Sequence, residues 1–216
     1  MRPERGETPL ISDETVSSYL ERLASGAPTP GGGAAAGLHA AQAAALVSMV
    51  AEFTSGPRYA DVQEQAQQIS EHARLLMRQG LFAAQEDERL FGALGAAYKL
   101  PKESSEQKSE RSAAIQNATI AAAAPLVSTV EASIEVIKLG QRLLPIGNRS
   151  VLSDVAAAAE AARAALATAL ATLEMNICSI KDIAQRERLV QTASQASEAI
   201  AHAEELSAHA RAVVAA

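Results

Sequence analysis

The sequence predicts an all-α protein built as a bundle of long helices, and three observations carry that expectation. Of the 216 residues 48% are hydrophobic, yet much of that share is alanine, with three Phe, three Tyr and no Trp. Such a core has to come from closely approaching helices and not from large aromatic plugs. Breaks made by Gly and Pro are few, and the intervals between them exceed ordinary globular helices in length. Within those intervals apolar residues recur at steps of three, four and seven, the spacing of a helix face turned to a core.

A short first helix over about residues 13–24 starts at a Ser12 or Asp13 cap and ends at Gly26. The turn Pro28-Thr29-Pro30-Gly31-Gly32-Gly33 then opens onto a second helix over about 33–53, which ends before Gly56-Pro57. A third helix runs over about 60–98, through Gly80, and Pro101 prevents its continuation. Ser104 or Ser105 caps a fourth that continues to about residue 123, where Pro125 is expected to kink or restart it. After the break Leu144-Pro145-Ile146-Gly147 a fifth helix spans about 150–182, and a more polar sixth runs from about 184 to the end. With no internal break, one helical domain covers 1–216, residues 1–12 being an N-terminal tail. The alanine-rich stripes of the second and fifth helices leave flat apolar surface, which predicts a homodimer.

The single cysteine, Cys178, excludes an intrachain disulfide and a Cys-based zinc site, and its neighbours Ile177 and Ile180 mark it as a plain buried thiol. A reducing cytoplasm fits. Residues 1–8 carry charge and proline and no hydrophobic signal segment, and no later apolar run reaches ~20 residues without polar punctuation. The expectation is a soluble protein with no membrane partner. A formal net charge of −6 without a Lys/Arg cluster argues against nucleic acid. The four histidines are not spaced with acids as metal ligand sets require, and no P-loop, dinucleotide fingerprint or nucleophile elbow occurs. No metal and no cofactor is expected.

Two features carry chemistry. Three glycines at a helix start bring bare N–H donors within reach of a ligand, and a helix N-terminus favours an anionic or carbonyl-rich one. The alternative is a rigid turn that lets two helices pack closely. On the third helix Ile69, Ala73, Leu76, Gly80, Ala84, Phe91, Leu94 and Tyr98 form the apolar stripe, and Asp87 falls on it. Its neighbours Glu86 and Glu88 point about 100° to either side. A carboxylate so placed must be hydrogen-bonded, paired, or held near neutrality by desolvation, and the last state suits acid–base work near pH 7. The competing reading is a buried helix–helix salt bridge. His39, alone on an alanine-rich face, is given no role. Asp154 and Asn176 share one side of the fifth helix but stand about 33 Å apart along it, so they cannot grip one small ligand together.

The string from Pro28 to Gly33, the continuation Ala44-Ala45-Leu46-Val47-Ser48-Met49-Val50 and the run Leu100-Pro101-Lys102 resemble the cyclodeaminase/cyclohydrolase family of folate enzymes, over about residues 16–183. Asp87-Glu88-Arg89-Leu90-Phe91 falls where that family shows an Asp-x-x-Ala-Phe motif, which implies that Asp87 is the catalytic acid–base residue. Gly147-Asn148 followed by Ser153-Asp154 is similar to a Gly-Asn then Ser-Asp element, and Asn176 matches one of two asparagines on a later helix. The resemblance implies an all-α homodimer and a tetrahydrofolate derivative bound near helix ends, with Pro30, Gly31, Gly32, Gly33, Asn148, Asp154 and Asn176 as binding residues. Where the family shows a lysine-rich pattern, this chain reads Gly56-Pro57-Arg58-Tyr59, so Arg58 is the one base left to meet a folate glutamate tail there. Lys99, Lys102 or Arg149 would otherwise take it. Ala34 and Thr172 replace a family serine and the second asparagine.

The function so implied is hydrolysis of methenyltetrahydrofolate to formyltetrahydrofolate. The alternatives are a formiminotetrahydrofolate cyclodeaminase releasing ammonia and a non-catalytic bundle that kept the fold. The absence of a fused formiminotransferase domain favours the stand-alone cyclohydrolase.

Overall fold

In a computed structural model, which describes residues 10–215, the described chain is helical with no strand. The α-helices are the short α1 (Val16–Leu23) and the long α2 (Gly32–Glu52), α3 (Gln63–Tyr98), α4 (Ser105–Leu143), α5 (Ser153–Ser179) and α6 (Ile183–Ala215). Short 3-10 turns at Ile11–Asp13, Pro57–Tyr59 and Arg149–Val151 precede α1, α3 and α5. Of the expected tail, residues 1–9 lie outside the described residues. Residues 11–13 are not tail: they form the first 3-10 turn, with Ile11 buried.

The start signals act locally. Thr15, not Ser12 or Asp13, caps α1 by accepting from the Ser18 N–H (3.1 Å). Ser104 caps α4 in a reciprocal box, accepting from Gln107 N while the Gln107 side chain accepts from Ser104 N. Pro125 does not break or restart α4, which runs through it to Leu143. The lost hydrogen bond costs about 3 kcal/mol in isolation, and burial of Ala122, Ala123, Leu126 and Val130 around it outweighs that cost.

α2 is the central helix and packs on α3, α5 and α4, with Ala36, Ala40, Ala43, Ala44, Val47 and Val50 fully buried. α3 lies antiparallel to it in near backbone contact. A Cβ added at Gly37 would come within 2.7 Å of Ala84 N, and one at Gly80 within 2.8 Å of Ala41 N. Two glycines facing each other thus set the register, and one turn further out along the same seam Gly33 faces Asp87. The alanine stripes of α2 and α5 are consumed inside this protomer, so they are not the free surface from which a dimer was expected. The exposed large apolar side chains of α3 are Leu75, Phe82, Phe91 and Tyr98. Phe91 and Tyr98 therefore leave the stripe on which the spacing placed them, because the seam with α2 ends at Gly33 and α3 continues beyond it.

Two further expectations change. Cys178 is exposed, since Ile180 takes the core side of this helix end. By length and composition three helices, α2, α4 and α5, are apolar enough to cross a membrane, contrary to the reading of the sequence; alanine supplies that hydropathy, and here the three helices pack on one another in the core.

Candidate functional site

The site grows from the α2–α3 seam. Asp87 is 8% exposed, and its carboxylate lies where a side chain on Gly33 would have to be: an added Cβ would meet Cγ and both oxygens at no more than 2.7 Å. Only glycine allows that approach. The carboxylate accepts a hydrogen bond from Ala34 N–H in the first turn of α2. Gly31 is the N-cap, with extended backbone (φ −137°) and no side-chain cap, so the Asp87 side chain supplies an acceptor that the cap lacks. The Thr29–Pro30 peptide is cis, and Pro30 is buried beneath the turn. None of Gly31, Gly32 and Gly33 uses a positive φ; among the described glycines that conformation belongs to Gly56.

Electrostatics separate Asp87 from its neighbour. Burial pushes its carboxyl up, the Ala34 hydrogen bond pulls it down, the Glu88 charge pushes it up again, and the balance stands at about 6. No cation pairs with it among the described residues. The buried ion pair exists, but one residue further on. Glu88, with a side chain 3% exposed, receives Arg22 Nη2 at 2.7 Å and Nη1 at 3.2 Å, and Arg22 also reaches Glu14 at 2.9 and 3.2 Å. The salt-bridge reading therefore applies to Glu88, and desolvation to Asp87.

The third wall is α5. Gly32, exposed at the mouth, faces Thr172 Oγ1 and Thr168 Cγ2 at 3.6 and 3.8 Å from an added Cβ. Thr172 turns its hydroxyl onto Thr168 O (3.1 Å). Asn176 sits one turn beyond, half-buried. Lys99 caps the end of α3, 12 residues past Asp87 or about 18 Å along the helix, and Lys102 lies in the loop that follows. Both are exposed.

The remaining candidates are not gathered here. Asn148 clasps the opposite end of α2: its Nδ2 donates to Phe53 O (3.0 Å), its Oδ1 accepts from Ser150 N and Oγ, and its own N–H goes to Thr54 Oγ1. Arg58 is exposed in the 3-10 turn after α2, and Asp154 is half-buried in the first turn of α5. The length of α2, about 30 Å, separates these three from Asp87 within one protomer. A cavity of ≈ 310 Å³ borders the site, lined by Leu10, Thr29, Gln85, Glu86, Glu88 and Arg89. A larger one of ≈ 460 Å³ lies at the far end between α4 and α6. It is lined by no buried titratable group.

The sequence reading missed Arg22, Glu14, Glu88 and Tyr19. Glu14 and Arg22 are eight apart and Glu88 lies 66 residues from Arg22, so no local spacing links them.

The formiminotransferase-cyclodeaminase family matches residues 15–212. The chain is 36% identical to the methenyltetrahydrofolate cyclohydrolase of Methylorubrum extorquens over 192 residues, 88% of this chain and 92% of that one. It is 29% identical to the formimidoyltransferase-cyclodeaminase of Rattus norvegicus over 86% of this chain and 35% of that longer protein. In fold it is similar to the formiminotetrahydrofolate cyclodeaminase of Thermotoga maritima, with a TM-score of 0.79, 24% identity, and coverage of 94% of this chain and 97% of that one.

Proposed function

Because the chain belongs to the formiminotransferase-cyclodeaminase family, we propose that it is a folate one-carbon enzyme hydrolysing methenyltetrahydrofolate to formyltetrahydrofolate, with Asp87 as its acid–base residue. The observation that carries this reading is a buried carboxyl that meets no cation among the described residues and is pushed up to about 6, over the first turn of α2. As water attacks the cationic amidine carbon, the Asp87 carboxylate takes a water proton while the C–O bond forms. It returns that proton to the ring nitrogen as the C–N bond breaks, while the adduct's hydroxyl proton leaves to solvent and its oxygen closes the C=O of the formyl group. A carboxyl poised near its pKa serves both transfers, and general acid–base catalysis of this kind supplies ~10²–10⁴-fold.

Gly33 lies against the carboxylate and Gly32 faces Thr172; these residues, with Pro30, Gly31 and Asn176, would contact the pterin end, and the exposed ring of Phe91, one turn past Asp87 on α3, offers flat apolar surface nearby. Lys99 and Lys102 would meet the glutamate tail further along α3. The substrate brings the reacting carbon itself, so the reading requires no metal or cofactor. Leu75 and Phe82, two turns apart on one face of α3, form the surface we assign to a second copy in a homodimer, and light scattering at micromolar concentration tests it.

Chain length does not choose between cyclohydrolase and cyclodeaminase, since the Thermotoga maritima chain, named a cyclodeaminase, is matched over 97% of its length. The choice of cyclohydrolase rests on the 36% identity to the Methylorubrum extorquens protein across 92% of it. Loss of the methenyl near-ultraviolet absorbance on adding the purified protein, above a buffer blank, is the expected result. Ammonia release from formiminotetrahydrofolate with no methenyl hydrolysis would transfer the assignment to cyclodeaminase, and inertness toward both would leave a non-catalytic bundle.

A further inference from the structure

The segment ahead of the glycine turn has no place in the chemistry above, yet it walls one side of Asp87. Ile11 N–H donates to Gln85 Oε1 on α3 (2.7 Å). Tyr19 is buried in one cluster with Ile11, Ala34 and Ala84, that is, with the residue whose N–H meets the Asp87 carboxylate and the residue one turn before Asp87. The rest of α1 holds poorly: Tyr19 is its one buried residue, and Val16 and Leu20 face outward. An eight-residue helix with one buried side chain, Tyr19, and one half-buried one, Leu23, packed on the same cluster has little length and apolar contact with which to stay docked unaided. What fastens it is Arg22, whose guanidinium meets Glu88 of α3 on one edge and Glu14, just ahead of α1, on the other, both acids having side chains no more than 4% exposed.

We propose that Arg22 is a positioning residue for the reaction at Asp87: by tying Glu88 to Glu14 it holds the strap of residues 11–23 against α3, and the Tyr19 ring in that strap closes one side of the Asp87 carboxylate to water. The proposal rests on Asp87 being the acid–base group. The Tyr19 hydroxyl is buried and has no hydrogen-bond partner among the described residues, so the ring, and not the hydroxyl, does the sealing. The groups around Asp87 fix the expected direction. The strap brings Tyr19, Arg22 and Glu14, while α3 itself brings Glu88 and, turned outward onto Arg89, Glu86. The first turn of α2 brings no titratable side chain, and α5 brings Thr168 and Thr172. Burial is the first cause holding Asp87 up and the Glu88 charge a lesser one. Opening the strap hydrates both carboxylates, so Asp87 moves down toward its ordinary value.

The experiment follows the Asp87 carboxyl by ¹³C NMR titration of the intact protein without substrate, its resonance assigned by its loss in Asp87→Asn, alongside the pH profile of methenyltetrahydrofolate turnover. In Arg22→Gln the midpoint is expected to fall by ~1 unit, the acid limb of turnover to follow it, and Arg22→Lys to restore part of the shift. Tyr19→Ala, which strands no charge, produces the same fall and decides the question if Arg22→Gln does not fold; Tyr19→Phe leaves the midpoint in place. A folded Arg22→Gln or Tyr19→Ala protein with an unmoved Asp87 midpoint overturns the proposal, as does a Tyr19→Phe shift equal to that of Tyr19→Ala. A wild-type protein that turns over no folate but shows the shift loses the activity reading and keeps the strap. Normal turnover without the shift loses the strap alone.

Discussion

On the side of α3 that meets α2, Asp87 is buried against a helix N-terminus with no cation among the described residues. On the side that meets α1, Glu88 is buried at the same depth in a double ion pair with Arg22. The two carboxyls are consecutive, and the difference lies in what is brought to them. α2 brings glycine backbone, which provides room and one N–H donor; α1 brings a guanidinium, which fixes the charge. A buried acid given a full counter-ion is spent on the pair and serves structure. A buried acid given only an N–H and a dipole stays near its titration point, where a proton can be taken up and released. The Ala34 N–H at the α2 start favours the ionised form, yet burial outweighs it and pushes the Asp87 carboxyl up to about 6.

The largest loss of stability is expected at the ion pair. Arg22→Ala leaves the Glu14 and Glu88 side chains, 4% and 3% exposed, without their counter-ion. Loss of one partner of such a pair costs about 3–5 kcal/mol, a large part of the ~5–15 kcal/mol that holds a domain together. Urea unfolding at pH 7 measures it, and a loss below about 1 kcal/mol would mean that the pair is solvated in practice.

The same test on the other carboxyl has the opposite sign. Between 3.8 and about 6 the folded chain keeps a proton on Asp87 that the unfolded chain has released. The raised value therefore contributes stability at low pH that is lost as pH rises through about 6, and above it the ionised buried group costs about 3 kcal/mol. Asp87→Asn removes that cost, so the variant is expected to be more stable than wild type at pH 7 and to lose the advantage toward pH 4. Turnover should meanwhile fall ~10²-fold or more, with folate affinity little changed. A destabilised Asp87→Asn protein would place Asp87 with Glu88 as a structural acid.

Gly33 sharpens the comparison from the backbone side. Gly33→Ala puts a methyl where the Asp87 carboxylate lies, so one of them must shift, at about 1–3 kcal/mol of stability and with loss of turnover. Gly31→Ala meets nothing within 4 Å at φ −137° and should leave stability unchanged. Equal effects of the two changes would show that the glycines serve only the turn.

Much of this was legible in the sequence. The Gly and Pro breaks separate the helices because those residues act locally, and Asp87 stands out because the seam with α2 imposes a strict spacing around Gly80 and Ala84. Glu88 was not legible: a single stripe assumes one packing partner, whereas α3 is covered by α2, α4 and the strap, so its buried arc is wider. Phe91 and Tyr98 were misplaced inward because spacing does not say where a seam stops. The Arg22 clamp joins residues 66 apart in the chain, a distance at which only the fold makes neighbours. Pro125 carried a local penalty that tertiary packing overrode.

Asn148 gives the smallest effect and bears on how far the site extends. Within one protomer its side chain is spent on Phe53 O and on Ser150, at the end of α2 remote from Asp87. Asn148→Ala should therefore cost about 1 kcal/mol, the scale of a lost turn or cap contact. It should leave the Asp87 titration in place, because nothing in the clasp touches the α2–α3 seam near Gly33. Turnover is the informative reading. If it is unchanged, the resemblance at Gly147-Asn148 reflects a shared fold and the clasp is structural. If it falls while melting temperature and the Asp87 midpoint hold, Asn148 acts on substrate, and a group about 30 Å from Asp87 in its own protomer can do so only if a second copy brings that end of its α2 to the site. The same variant mixed with Asp87→Asn would then recover activity by subunit exchange, and failure of that mixture to recover would return Asn148 to the clasp.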